Sequence, residues 1–150
     1  MENTHFYNTA IRWEEGRRGT LTSPDLTNQI TVATPPEFPK GEPNIWSPEH
    51  LYVAAANSCL MTTFLAIAEN SKLDFVSFNS NALGKLEKID GDYMISEIEL
   101  KPVVVLKNEK DRERALRIIE KSEKACLISN SMKSKIVLSP EVIITKLIEE

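Results

Sequence analysis

The stretch that most limits how this chain can fold is "SPEHLYVAAANSCLMTTFLAIAENSK", residues 47–72. From Leu51 to Ala68, apolar residues occupy nearly every side of a helix instead of one stripe, and helices of that kind are buried all round. The start is marked as clearly as the body. Ser47 is a good N-cap, Pro48 suits the first helical position, and Glu49 in the first turn complements the helix dipole. The reading is a central helix that sheets wrap. One small sheet gives such a helix too little cover, so a homodimer in which two chains share the cover is expected. In the middle of the run sits Cys59, one of two cysteines in the chain.

The flanking segments supply the sheets. Residues 4–13 and 17–23, joined around Gly16, read as a hairpin, with a third strand at 28–34. "PPEFPKGEPNIW" (35–46) is rich in Pro and Gly and reads as a loop, too short to separate domains. Two long strands follow, near 75–88 and 92–106, with "DGD" (90–92) as the turn between them. Residues 109–125 form an amphipathic helix whose Ala115, Leu116, Ile118 and Ile119 lie on one side, with a solvated charged face opposite. Cys126 follows where that helix ends. Strands at 135–139 and 141–148 close the chain. The order βββ, long helix, ββ, helix, ββ segregates helices from antiparallel strands, which makes the class α+β, in a single domain over 1–150.

Composition narrows the partners. With 150 residues, 41% hydrophobic and 27% charged, the chain has the profile of an ordinary soluble domain with a real core. A net charge of −4 argues against nucleic acid, which needs a surplus of Lys and Arg on one face. The N-terminus lacks the layout of a signal peptide. No apolar run is read as approaching the roughly 18 residues of a membrane span. The expectation is therefore a cytoplasmic protein with no membrane partner. A permanent disulfide is not expected there, which leaves the two cysteines as inert thiols or a redox pair. With no C-x-x-C motif and only His5 and His50 as histidines, no metal site is expected. Nothing resembles a phosphate loop or a Ser/His/Asp arrangement, and no cofactor is expected.

Cys59 is either a small hydrophobe in a core or a nucleophile facing a pocket. It lies mid-helix, away from the dipole at its own helix's start, so a reactive Cys59 calls for a cation to hold the thiolate. The Arg17–Arg18 pair in the first hairpin offers one. Other polar and aromatic candidates carry ordinary readings: His50 as a polar first-turn residue, His5 as strand surface, Met61 as core filling, and Trp13 and Trp46 as packing anchors. Trp46, beside the helix start, is also placed to line an entrance.

"WSPEHLYVAAANSCLMTTFLAIA" (46–68) resembles the central-helix signature of the OsmC/Ohr family of peroxide-detoxifying proteins. "SEKACLISNSM" (122–132) resembles that family's second cysteine motif, and "GRRGTLTS…ITVATPPEF" its N-terminal strands, closer to the organic hydroperoxide resistance branch. The two cysteine motifs are fairly specific together, and the match runs over nearly the whole chain. The resemblance implies that Cys59 is the peroxidatic cysteine, Cys126 the resolving one, Arg17 the active-site arginine and Glu49 its acidic partner. A shift of one residue gives the arginine's role to Arg18. Two positions depart from the pattern: Leu127 stands where the family usually has Pro, and Arg18 where an acidic residue is common. Ten residues of helix rise roughly 15 Å, so Glu49 reaches a Cys59 only across to a partner chain. The resemblance implies an intertwined homodimer with sites at the subunit boundary.

The implied reaction is the reduction of an organic hydroperoxide through a Cys59 sulfenate and a Cys59–Cys126 disulfide. An external dithiol, by resemblance a lipoylated protein, would restore both thiols. The alternatives are a non-catalytic member of the fold that binds an apolar small molecule, and a redox-sensing module without turnover.

Overall fold

The computed structural model describes residues 3–145. By tertiary contact the chain divides into two compact units, residues 1–51 and 52–150.

The first unit is a three-stranded antiparallel meander: β1 (Ala10–Glu15), β2 (Arg18–Thr22) and β3 (Ile30–Ala33), in the order β1-β2-β3. Gly16, at φ 52°, supplies the left-handed residue of the first turn. The loop read at 35–46 contains no helix or strand of its own. It returns to the sheet edge, where the Ala33 N–H donates to the Trp46 carbonyl at 2.9 Å. Ser47 then caps α1 (Pro48–Asn70), its hydroxyl accepting the His50 N–H at 3.1 Å.

The second unit is built on the hairpin of β4 (Ser77–Ile89) and β5 (Asp92–Leu106). Its turn is Asp90–Gly91, at φ 52° and 87°, the left-handed pair that a two-residue hairpin demands. Alternate residues of β5 point inward: Ile98, Leu100, Val104 and Leu106 are all fully buried. Onto them packs one stripe of α1, namely Ala56, Leu60, Phe64 and Ala68, at the four-residue spacing of one helix face. Phe64 stacks on Phe78 and meets Phe75 edge-on. A short 3₁₀ turn (Glu109–Asp111) leads into α2 (Arg112–Ala125), which buries Ala115, Ile118 and Ile119 in the same core. After α3 (Leu127–Asn130) come β6 (Lys135–Leu138) and β7 (Glu141–Ile144).

Three expectations need correction. The second sheet is mixed, not antiparallel: β6 and β7 both pair parallel to β5, along residues 97–100 and 103–106. A chain carried back along a sheet by a helix re-enters in the direction of the strand it left, which makes the pairing parallel. Second, α1 is not buried all round within one chain. Only its one stripe is fully buried, and Met61 and Leu65 are each 40% exposed. A sheet covers one side of a helix, and the apolar residues on the other sides are left over. Third, α1 is by length and composition able to cross a membrane, where no such run was expected. The same all-round apolarity accounts for this, and packing of its buried stripe on β5 is what a core helix does. The end of the last strand as read, residues 146–148, lies outside the described residues.

Candidate functional site: a pair of unequal thiols

Cys59 and Cys126 come together in the second unit. α1 holds Cys59 half-buried, one turn before Thr63, whose hydroxyl lies 3.8 Å from its sulfur. Cys126 is fully buried at the break between α2 and α3. Its N–H closes α2 by donating to the Glu123 carbonyl, and its carbonyl accepts from the Asn130 N–H at 3.0 Å. The Ser129 hydroxyl donates to the Cys126 sulfur at 3.3 Å. Both cysteines are free thiols, and the two side chains hydrogen-bond to each other.

Their environments pull the two thiols in opposite directions. Burial alone pushes Cys59 up, but it is outweighed. The Cys126 thiol, the Ile128 N–H, the Thr63 hydroxyl and the Leu127 N–H all donate to its sulfur, and together they bring Cys59 below the ordinary thiol range. Cys126 goes the other way. Burial raises it, its hydrogen bond to Cys59 raises it further, and the donors from Ser129 only partly offset this. Of the two thiols, Cys59 is therefore the one that ionises more readily. This amends the reasoning that a mid-helix Cys59 must rely on a cation. Main-chain N–H groups from the turn after Cys126 supply part of the stabilisation.

The remaining candidates lie in the first unit. Arg17 is in the hairpin turn, exposed. Arg18, at the start of β2, pairs with Glu42 at 2.6 Å, and that hydrogen bond raises its pKa further. Glu49 is half-buried in the first turn of α1. Among the described residues, neither Arg17 nor Glu49 makes a side-chain hydrogen bond or ion pair, so the two do not pair with each other within one chain. His50 is tied by Nδ1 to the Ser47 hydroxyl at 2.6 Å and meets Trp46 edge-on. Trp46 and His50 line a shallow groove with Pro36, Glu37, Pro43 and Ile45.

Sequence reasoning did not name Thr63, Ser129 or the amides of residues 127 and 128. Thr63 could have been found, since it lies four residues after Cys59 on one helix face. Ser129 follows Cys126 by three. The amides carry no side-chain signature at all.

Fold and thiols together define an α+β protein with a two-cysteine site, and the comparisons place it in a family. The profile of the OsmC-like protein family matches residues 41–141. The chain belongs to that family. It is 27% identical over 146 residues to the uncharacterized protein YmaD of Bacillus subtilis (strain 168), a match covering 94% of this chain and 95% of that one. Its fold is that of solved OsmC/Ohr structures. An OsmC-like protein of unknown function from Vibrio cholerae superposes with a TM-score of 0.83 at 22% identity, over 91% of this chain and 99% of that one. An organic hydroperoxide resistance protein from Elizabethkingia anophelis gives 0.76 at 20% identity, over 97% and 100%.

Proposed function

We propose that the protein is a cytoplasmic, thiol-dependent peroxidase that reduces organic hydroperoxides to alcohols. The observation that carries this reading is that the second unit holds both free cysteines, Cys59 half-buried on α1 and Cys126 buried at the break between α2 and α3, with Cys59 lowered and Cys126 raised by their surroundings. A nucleophile that ionises more readily than its resolving partner is the arrangement the chemistry favours.

The Cys59 thiolate attacks the outer peroxide oxygen. The O–O bond breaks, the alkoxide leaves and takes a proton to become the alcohol, and Cys59 becomes a sulfenic acid. The Cys126 thiol displaces water from that sulfenic acid to form the disulfide. An external dithiol, such as a lipoylated protein, reduces the disulfide by exchange and is itself oxidised. Of the apolar α1 side chains read as surrounding the thiol, Leu60 and Phe64 are taken up in the core, and Met61, 40% exposed, is left to favour an alkyl hydroperoxide over hydrogen peroxide, at about 0.8 kcal/mol for each buried CH₂. Arg17 or Arg18, oriented by Glu49, adds a cation to the site. Because Glu49 stands ten residues before Cys59 on one helix, it serves the thiol of a partner subunit, and the active species is a homodimer. The uncovered apolar residues of α1 support that assembly.

The test is the intact mass of the reduced protein after one equivalent of cumene hydroperoxide, without added thiol. A loss of two hydrogens, abolished in Cys59→Ser, is expected. A persistent gain of one oxygen would leave Cys59 reactive but unresolved. No change in mass would overturn the peroxidase and favour a binding protein.

A further inference from the structure

The serine and threonine hydroxyls of the helices follow one habit, with two exceptions. Ser58 and Thr62 on α1 donate to the carbonyls of Ala55 and Cys59, at 3.2 and 3.1 Å, and Ser122 on α2 donates to that of Ile118 at 2.6 Å. Bonding back to the preceding turn is what such hydroxyls ordinarily do in a helix. Among the described residues the exceptions are Thr63 and Ser129, and each faces a cysteine sulfur, at 3.8 Å from Cys59 and 3.3 Å from Cys126. The Ser129 contact is the closer and the more buried, with Ser129 6% exposed and Cys126 fully enclosed. A neutral thiol is a weak acceptor, and a buried hydroxyl gains little from it. A thiolate is a strong one.

We infer that the Ser129 hydroxyl is a catalytic group of the resolving step, donating to the Cys126 sulfur as that sulfur becomes the attacking thiolate. This rests on the reading of Cys126 as the resolving thiol. In that step the Cys126 thiol gives up its proton and the thiolate attacks the sulfenic sulfur of Cys59. The S–S bond forms, the S–O bond breaks, and the departing hydroxide takes up a proton as water. The thiol that must ionise is the buried one, and burial works against its charge. Among the described residues no cation acts on it; the groups that do are Ser129 and, from α1, Cys59. The Ser129 hydroxyl, already in contact, is the side-chain donor at hand.

The experiment measures the attack of Cys126 without a peroxide, at about pH 7. Dithiobis(nitrobenzoate) converts the more accessible Cys59 to a mixed disulfide and releases one thionitrobenzoate. Cys126 then attacks the Cys59 sulfur and displaces the second, whose release is followed by absorbance. Ser129→Ala is expected to raise the Cys126 midpoint by about one pH unit. Because the rarer thiolate is also the stronger nucleophile, the second release should slow by only about threefold. Ser129→Thr, which keeps a hydroxyl, is expected to react as the unaltered protein. So is Ser122→Ala, which removes a fully buried hydroxyl that donates to a carbonyl instead of a sulfur. A Ser129→Ala rate equal to that of the unaltered protein, or an equal slowing in Ser122→Ala, overturns the inference. A Ser129→Thr as slow as Ser129→Ala does the same, as does the absence of any second release in the unaltered protein. Failed peroxide reduction with the expected rates would remove the proposed reaction and leave the role of Ser129 standing.

Discussion

The molecule makes two hairpins by one turn rule and covers them very differently. β1–β2 reverses at Gly16 and β4–β5 at Asp90–Gly91, all three residues at positive φ. Yet every residue of β1 is exposed, with Ile11 at 64% and Trp13 at 75%, while the inward residues of β5 are fully buried. Turn chemistry decides where a chain reverses; it does not decide what the ribbon lies against. Ile11 and Trp13, two residues apart on one face, are apolar side chains that a single chain leaves in water. A sheet in that condition gains little stability by itself. It is the kind of surface that the proposed homodimer would cover.

The sharpest way to break this contrast is to truncate one aromatic in each region. Phe64 is fully buried, with ring centroids 4.9 Å from Phe78 and 5.2 Å from Phe75. Phe64→Ala is expected to cost about 3–5 kcal/mol by urea denaturation. Trp13→Ala, measured at protein concentrations where the chain is monomeric, is expected to stay within about 0.5 kcal/mol of the unaltered protein. In sedimentation it should weaken self-association instead. Equal destabilisation of the monomer by both substitutions would mean that the first hairpin is covered after all.

A smaller effect separates the turns themselves. A Cβ added at Gly16 or at Gly91 would meet nothing within 4 Å, so any cost is one of backbone alone. Gly16, at φ 52°, lies in the left-handed well that other residues can enter, as Asp90 does at the same angle. Gly91, at φ 87°, lies beyond it. Gly91→Ala should therefore lower the urea midpoint by the equivalent of about 1–2 kcal/mol. Gly16→Asn should lower it clearly less, since Asn enters that well more readily than Ala. The reverse order would show that the first turn is the more constrained.

The same contrast marks what could be read in advance. Both turns, the Ser47 cap, the span of α1 and the amphipathic α2 follow from local chemistry, and each lies within a few residues of where the sequence puts it. The direction of β6 and β7 does not. Short apolar strands carry the same pattern whether they pair parallel or antiparallel, and α2 packed on the core decides between the two. The thiol site divides in the same way. Cys59 and Cys126 are visible by residue type. The donors that lower Cys59 are the Cys126 thiol, the Ile128 N–H, the Thr63 hydroxyl and the Leu127 N–H, brought to it by tertiary structure, and a main-chain N–H belongs to every residue except proline.

The smallest expected effect concerns how the first unit is fastened where apolar cover is thin. Arg18 and Glu42 join the start of β2 to the following loop at 2.6 Å, but their side chains remain 38% and 29% exposed. Water screens a pair in that position, and such pairs contribute about 0–1 kcal/mol. The Arg18 Nε, buried with no hydrogen-bond partner among the described residues, takes back part of that gain. Glu42→Gln should therefore destabilise by less than about 1 kcal/mol, with the difference shrinking as salt is added. A loss as large as that of Phe64→Ala, and insensitive to salt, would reverse the comparison. The first unit would then depend on one polar clasp where the second depends on its core, and any demand on Arg18 as a thiolate partner would compete directly with holding its own sheet together.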